Sequence, residues 1–124
     1  MDINGTWVNQ NGSTVEFQVS ADGEISGAYS SRKGRAASGL KYPITGRQNG
    51  ELVAFHVDWH DADTNLHAIT SFTGRCTTDS EGLDTIHTVW VLARQFEDEA
   101  CSKPTGVWNS FLTNSDVFSR ESLG

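Results

Sequence analysis

Apolar and polar residues alternate with period two along almost the whole of this 124-residue chain. That pattern suits strands with one face in a core and the other in water. It does not suit helices, whose apolar positions recur at intervals of three and four. In the run Leu52–Trp59, the odd positions Val53, Phe55, Val57 and Trp59 are apolar. Ser13, Val15, Phe17 and Val19 share a second phase, and Ile25, Gly27, Tyr29 and Ser31 a third. Asn11-Gly12, Asp22-Gly23 and Asn49-Gly50 fall between such runs, where residues tolerant of positive φ make hairpin turns. Strands are expected over Gly5–Gln10, Ser13–Val19, Glu24–Ser31, Tyr42–Gln48, Glu51–His60, His67–Thr77, Thr85–Arg94 and Phe111–Ser119. No amphipathic helix of useful length interrupts them, which excludes a nucleotide-binding α/β fold.

Eight strands joined mainly by short turns predict an all-β fold: an eight-stranded antiparallel up-and-down β-barrel, a meander, built as one domain over residues 1–124. Closure removes exposed strand edges, and eight strands leave room for side chains or one small ligand. A two-sheet sandwich is the alternative, but the strand spacing and the inward polar residues suit a barrel better. Two stretches break the periodicity. Residues 32–39, with Arg32, Lys33 and Arg35 among small residues, read as a loop, and so does the acidic stretch 95–106 before a turn carrying Trp108.

Counting parity along the strands places Asn9, Ser13, Tyr29, Ser31, Trp59, Thr70, Phe72, Trp90 and Leu92 on the interior face near one end, with Asp116 from the last strand. An interior that is polar at one end is costly, since each unpaired buried group loses about 1–3 kcal/mol unless water or a ligand satisfies it. The residues alone leave open a cavity for a small polar-headed molecule, a lipid-like ligand, or a ligand-free structural or inhibitory barrel.

Composition removes other functions. Nine basic against 16 acidic residues give a formal charge of −7, the wrong sign for nucleic acid or an anionic membrane. No apolar run approaches membrane-spanning length. No signal peptide is expected, because Met1-Asp2-Ile3-Asn4 leads straight into strand-like sequence, and this start leaves the compartment open. The chain has two cysteines and no Cys-x-x-Cys. Cys76 follows the inward parity and Cys101 lies in the acidic loop, so one buried and one exposed thiol are expected, with a bridge between them as the alternative. His56 and His60, at i and i+4 on one strand, stand roughly 13 Å apart, too far to share a metal ion. Asp116 is the lone inward carboxylate and no His shares its face, so an enzyme is not expected.

The order and spacing of several short motifs resemble the avidin/streptavidin family of biotin-binding proteins. They are Gly5-Thr6-Trp7-x-Asn9-x-x-Gly12-Ser13, Asp22-Gly23-x-Ile25-x-Gly27-x-Tyr29-x-Ser31, Tyr42-Pro43-Ile44-Thr45-Gly46, Val57-x-Trp59, Thr70-x-Phe72-Thr73-Gly74, Trp90-Val91-Leu92, Trp108-x-Ser110 and Asp116-x-Phe118. The resemblance covers nearly the whole chain. It implies that Asn9, Ser13 and Tyr29 donate to the ureido oxygen of biotin, that Asp116 and Ser31 accept from its two N–H groups, and that Thr70 donates to its thioether. It implies an aromatic box of Trp59, Phe72, Trp90 and Trp108, with Leu92 beside it. Trp108 corresponds to a residue that enters a neighbouring subunit's pocket, so a homotetramer is expected, because the family's dimers generally lack it. Vitamin sequestration by a secreted, extracellular or periplasmic protein follows from the same resemblance, with biotin as ligand and no cofactor.

The chain also departs from the pattern. Ala68 stands where streptavidin carries a Ser that bonds the biotin carboxylate, and Lys33 or Arg35 is expected to offset the loss by attracting that carboxylate. Loop 95–106 is about six residues longer than its counterpart, and its Glu97, Asp98 and Glu99 would repel an anionic tail. Cys76 matches a cysteine that in egg-white avidin pairs with one near the N-terminus, where this chain has Met1.

Overall fold

The computed structural model describes residues 1–31, 40–98 and 100–121. Its strands are β1 (Gly5–Asn9), β2 (Thr14–Val19), β3 (Glu24–Ser30), β4 (Tyr42–Asn49), β5 (Leu52–His60), β6 (Asn65–Thr78), β7 (Asp84–Arg94) and β8 (Phe111–Arg120). Each pairs antiparallel with its neighbour in sequence, and β1 returns to pair β8 through Trp7↔Arg120, Val8↔Ser119 and Asn9↔Phe118. The meander therefore closes, and the sandwich alternative falls away. The turn expected at Trp108 is a single turn of 3-10 helix, Val107–Ser110.

The largest departure from the expected strands is in β6, which starts at Asn65 rather than His67. Between the pairs Asp58↔Ile69 and His60↔Asn65, four steps along β6 face two along β5. His67 sits in this bulge with φ at 55°, a left-handed conformation that His adopts more readily than most residues. Tight coiling elsewhere depends on Gly27 and Gly46. A Cβ on the first would collide with the Glu16 carbonyl and one on the second with the Ala54 carbonyl, and Gly27 also has φ at 141°.

Alternation delivers the core as expected. Val15 and Phe17 from β2, Val53, Phe55 and Val57 from β5, and Phe72 and Cys76 from β6 are all buried. The Phe55 and Phe72 rings stack with centroids 4.6 Å apart, and Phe17 meets Phe55 edge-on at 5.1 Å. Cys76 is buried and Cys101 exposed, and no disulfide joins them. At the base of the barrel the Arg120 guanidinium lies 4.5 Å over the Trp7 ring. It donates through Nε to Asp84 Oδ2 at 3.1 Å, and through its terminal nitrogens to the carbonyls of Asn4 and Asp2.

Candidate functional site

Above Phe72 the barrel interior opens into a cavity of about 290 Å³. Its walls are Asn9, Asn11, Ser13, Tyr29, Ser31, Trp59, Leu66, Ala68, Thr70, Phe72, Trp90, Leu92 and Asp116. The size lies at the small end of ordinary ligand sites, and the mixture of aromatic walls with a few convergent polar groups is the usual composition of one.

The polar groups form a connected set. Asn9 Oδ1 accepts the backbone N–H groups of Asn11 and Ser13, both at 3.0 Å, in the turn that follows β1. Those two donors fix which way the amide faces, because only its oxygen can accept. Asn9 Nδ2 is therefore turned inward, where it donates to Asp116 Oδ2 at 3.2 Å and to the Tyr29 hydroxyl at 3.5 Å. Asp116 comes from β8, across the seam where the barrel closes, and its second oxygen accepts from Gln10 Nε2 at 2.9 Å. Asp116 is the one charged side chain among the described residues that line the cavity.

Tyr29 has its phenol pushed up to about 12, first by burial and then by the nearby Asp116 charge, while hydrogen bonds from Ser13 and Asn9 pull the other way. At neutral pH it is a protonated donor. Around the apolar end, Trp59 Nε1 donates to Thr70 Oγ1 at 2.9 Å. Since the Thr70 oxygen serves there as acceptor, its own proton remains for a further acceptor. Trp90 Nε1 is buried and finds no hydrogen-bond partner among the described residues.

Ten of the residues singled out from the sequence thus line one cavity: Asn9, Ser13, Tyr29, Ser31, Trp59, Thr70, Phe72, Trp90, Leu92 and Asp116. Lys33 and Arg35 lie outside the described residues, as does Glu99. Trp108 does not line its own chain's cavity. It is 84% exposed on the 3-10 helix, with its ring 5.8 Å from Phe111. An indole left in water stands apart from the other three tryptophans, Trp7, Trp59 and Trp90, which are buried or half-buried.

Asn11, Leu66 and Ala68 also line the cavity. Ala68 stood out in the sequence only as a departure from the family pattern. Leu66 was hidden by the bulge, since β6 was expected to begin after it, although its even number shares the inward phase of Thr70 and Phe72. Asn11 carried a turn signal and nothing more.

Comparison with known proteins agrees with this architecture. The model of the avidin family matches residues 1–121. The chain belongs to the avidin family. Afifavidin from Afifella pfennigii is 37% identical over 95 residues, which are 75% of this chain and 58% of that relative. The chain therefore spans less than two thirds of that relative's length. The solved rhizavidin–biotin complex superimposes with a TM-score of 0.81 at 30% identity, covering 99% of this chain and 95% of rhizavidin. The short afifavidin–biotin complex gives 0.77 at 30% identity, covering 95% and 88% of the two chains. Both of these solved structures are biotin complexes. Among the described residues no cluster of three or more His, Cys, Asp or Glu side chains could hold a metal ion.

Proposed function

We propose that this chain binds biotin, non-covalently, in the barrel cavity. The observation that carries the reading is the convergence of Asn9, Ser13, Tyr29 and Asp116 at the polar end of an aromatic-walled cavity. Three neutral donors and one carboxylate acceptor match a cyclic urea, which offers one oxygen and two N–H groups. Asn9, Ser13 and Tyr29 take the ureido oxygen, while Asp116 and Ser31 take the N–H groups. Thr70, whose proton is uncommitted, donates to the thioether. Trp59, Phe72, Trp90 and Leu92 enclose the bicyclic ring and the alkyl chain. Lys33 and Arg35 are proposed for the carboxylate tail on their charge alone.

The reading is one of binding without chemistry, because a single carboxylate held by amides has neither a nucleophile nor a second acid to work with. Rhizavidin and short afifavidin are both solved as biotin complexes, which supports the same ligand here. Calorimetric titration tests it directly, with one biotin bound per chain and a large rise in melting temperature at excess ligand. A flat titration with no melting shift would sink it.

The chain assembles as a homotetramer in which Trp108 closes the pocket of a neighbouring subunit. Its exposure, and the exposed Val89, Val91, Val117 and Ile69 on the outer faces of β6 to β8, support self-association. Sedimentation velocity reads the assembly. Trp108→Ala should speed biotin release if the indole closes a partner's pocket and leave it unchanged if it does not. Sequestration of the vitamin outside the cell, by a secreted or periplasmic protein, is the physiological role consistent with this binding.

A further inference from the structure

Gln10 occupies an unusual place beside the site. It is exposed, follows the last residue of β1, and does not line the cavity. Backbone pairing between β1 and β8 stops at Asn9↔Phe118. Beyond that point the Gln10 side chain takes over the seam. Its Oε1 accepts the Val117 N–H at 3.0 Å, and its Nε2 lies 3.4 Å from the Ser115 carbonyl oxygen. A primary amide presents one acceptor and a pair of donors, so it can stand in for a backbone peptide at the end of a ladder. The two strand groups it engages flank Asp116, and the same Nε2 donates to Asp116 Oδ1 at 2.9 Å. Asn9, one residue earlier, holds Asp116 Oδ2 from inside the barrel. Consecutive residues at the end of one strand therefore grip both oxygens of Asp116, the one charged group among the described residues that line the cavity, Asn9 from within and Gln10 from the rim.

We infer that Gln10 is a positioning residue for ligand recognition. It touches no ligand, and it fixes the backbone and carboxylate of Asp116 so that the acceptor is already aimed when the ligand's N–H arrives. A carboxylate free to swing would have to be ordered on binding, and would be ordered at the expense of affinity. The role rests on the biotin reading for its ligand, but the contact itself does not.

The test is a double-mutant cycle on the full chain. Gln10→Met keeps the length of the side chain and removes the amide. It should weaken biotin by roughly tenfold, the size expected when one hydrogen bond to a charged group is lost. In an Asp116→Ala background the same change should weaken biotin by less than about twofold, because the group it aims is gone. Equal losses in both backgrounds would mean that Gln10 only holds the strand seam, and would overturn the inference. Gln10→Glu adds a pH signature. It retains the acceptor for Val117 and places a like charge against Asp116, so binding should be weaker than in Gln10→Met at pH 7 and recover as the new carboxyl protonates. A profile parallel to that of the parent protein would count against the role. In the ligand-free protein the Asp116 carboxyl ¹³C resonance should move in Gln10→Met. That reading holds whether or not biotin binds, so an unmoved resonance sinks the Gln10 role, while a moved resonance in a protein that ignores biotin sinks only the ligand assignment.

Discussion

The two ends of the barrel are made from the same alternating strands and solve opposite problems. At the base, polar atoms that enter the interior are paired within the chain. Trp7 Nε1 donates to the Ile3 carbonyl at 2.9 Å, and the indole is covered by Arg120, itself tied to Asp84. At the mouth, Trp90 presents the same indole nitrogen, buried, with no partner among the described residues. Asn9, Tyr29 and Asp116 are bonded to one another around open space. One end is finished by folding, and the other keeps bonding capacity in reserve. Stability should therefore reside in the base and recognition in the mouth, and substitutions should separate the two.

The strongest test of that division is at the base. Phe17 is 1% exposed, packs edge-on against Phe55 and is absent from the cavity wall. Phe17→Ala should cost about 3–5 kcal/mol of unfolding free energy through lost burial and the void left behind. Biotin affinity measured on the folded fraction should stay within about threefold of the parent. If affinity falls as far as stability, the two ends are one cooperative unit.

At the mouth the effects reverse. Asp116→Ala removes a charged acceptor, and biotin should bind roughly 10- to 100-fold more weakly, corresponding to about 1.5–3 kcal/mol. Unfolding of the ligand-free protein should change by less than about 1 kcal/mol, since the amides of Asn9 and Gln10 left behind can take up water at an open rim. Calorimetry and urea denaturation of the same variant read the two numbers side by side.

A smaller effect should appear in acid, and at the base alone. Hydrogen bonds from Thr78 and then Arg120 hold the Asp84 carboxyl below the usual carboxylate range. A depressed folded value contributes stability above the unfolded pKa near 3.9, and loses it as pH falls through the lowered folded value. The melting-temperature gap between the parent and Asp84→Asn should therefore be constant above about pH 5 and close below about pH 3. A gap that persists in stronger acid would mean that charge on Asp84 is irrelevant to the Arg120 clasp. Biotin affinity at pH 7 should be the same in both proteins.

Much of this division was legible in the sequence because a strand's period of two admits little ambiguity. Once Val53, Phe55 and Val57 point inward, Trp59 does too, and Asn9, Thr70 and Asp116 follow from their own strands. What parity does not carry is the exchange of partners across strands. The grip of Gln10 on Asp116 joins residues 106 apart in sequence, and Gln10 has the outward phase. The β6 bulge escaped for a similar reason. No glycine marks it, and His67 adopts its left-handed φ without any turn signature, so the phase of Leu66 was not connected to the strand. Trp108 shows the remaining gap: the single chain leaves it in water, and parity along one chain says nothing about what meets an exposed indole.

The smallest expected effect lies at the tail of the ligand, where the mouth meets solvent. Ala68, Leu66 and Leu92 line the cavity without offering a hydroxyl or a charge, and no cation lines it among the described residues. Lys33 and Arg35 are only proposed for the tail, and an ion pair formed in water would contribute only about 0–1 kcal/mol. Masking the biotin carboxylate as its methyl ester should consequently weaken binding by no more than about fivefold, and that preference should shrink further in high salt as screening shortens the reach of charge. Competition between the acid and the ester, at low and at high ionic strength, measures it. A loss of a hundredfold or more, insensitive to salt, would place a buried anchor at the rim and make the mouth a two-ended site, with recognition shared between the ureido head and the tail.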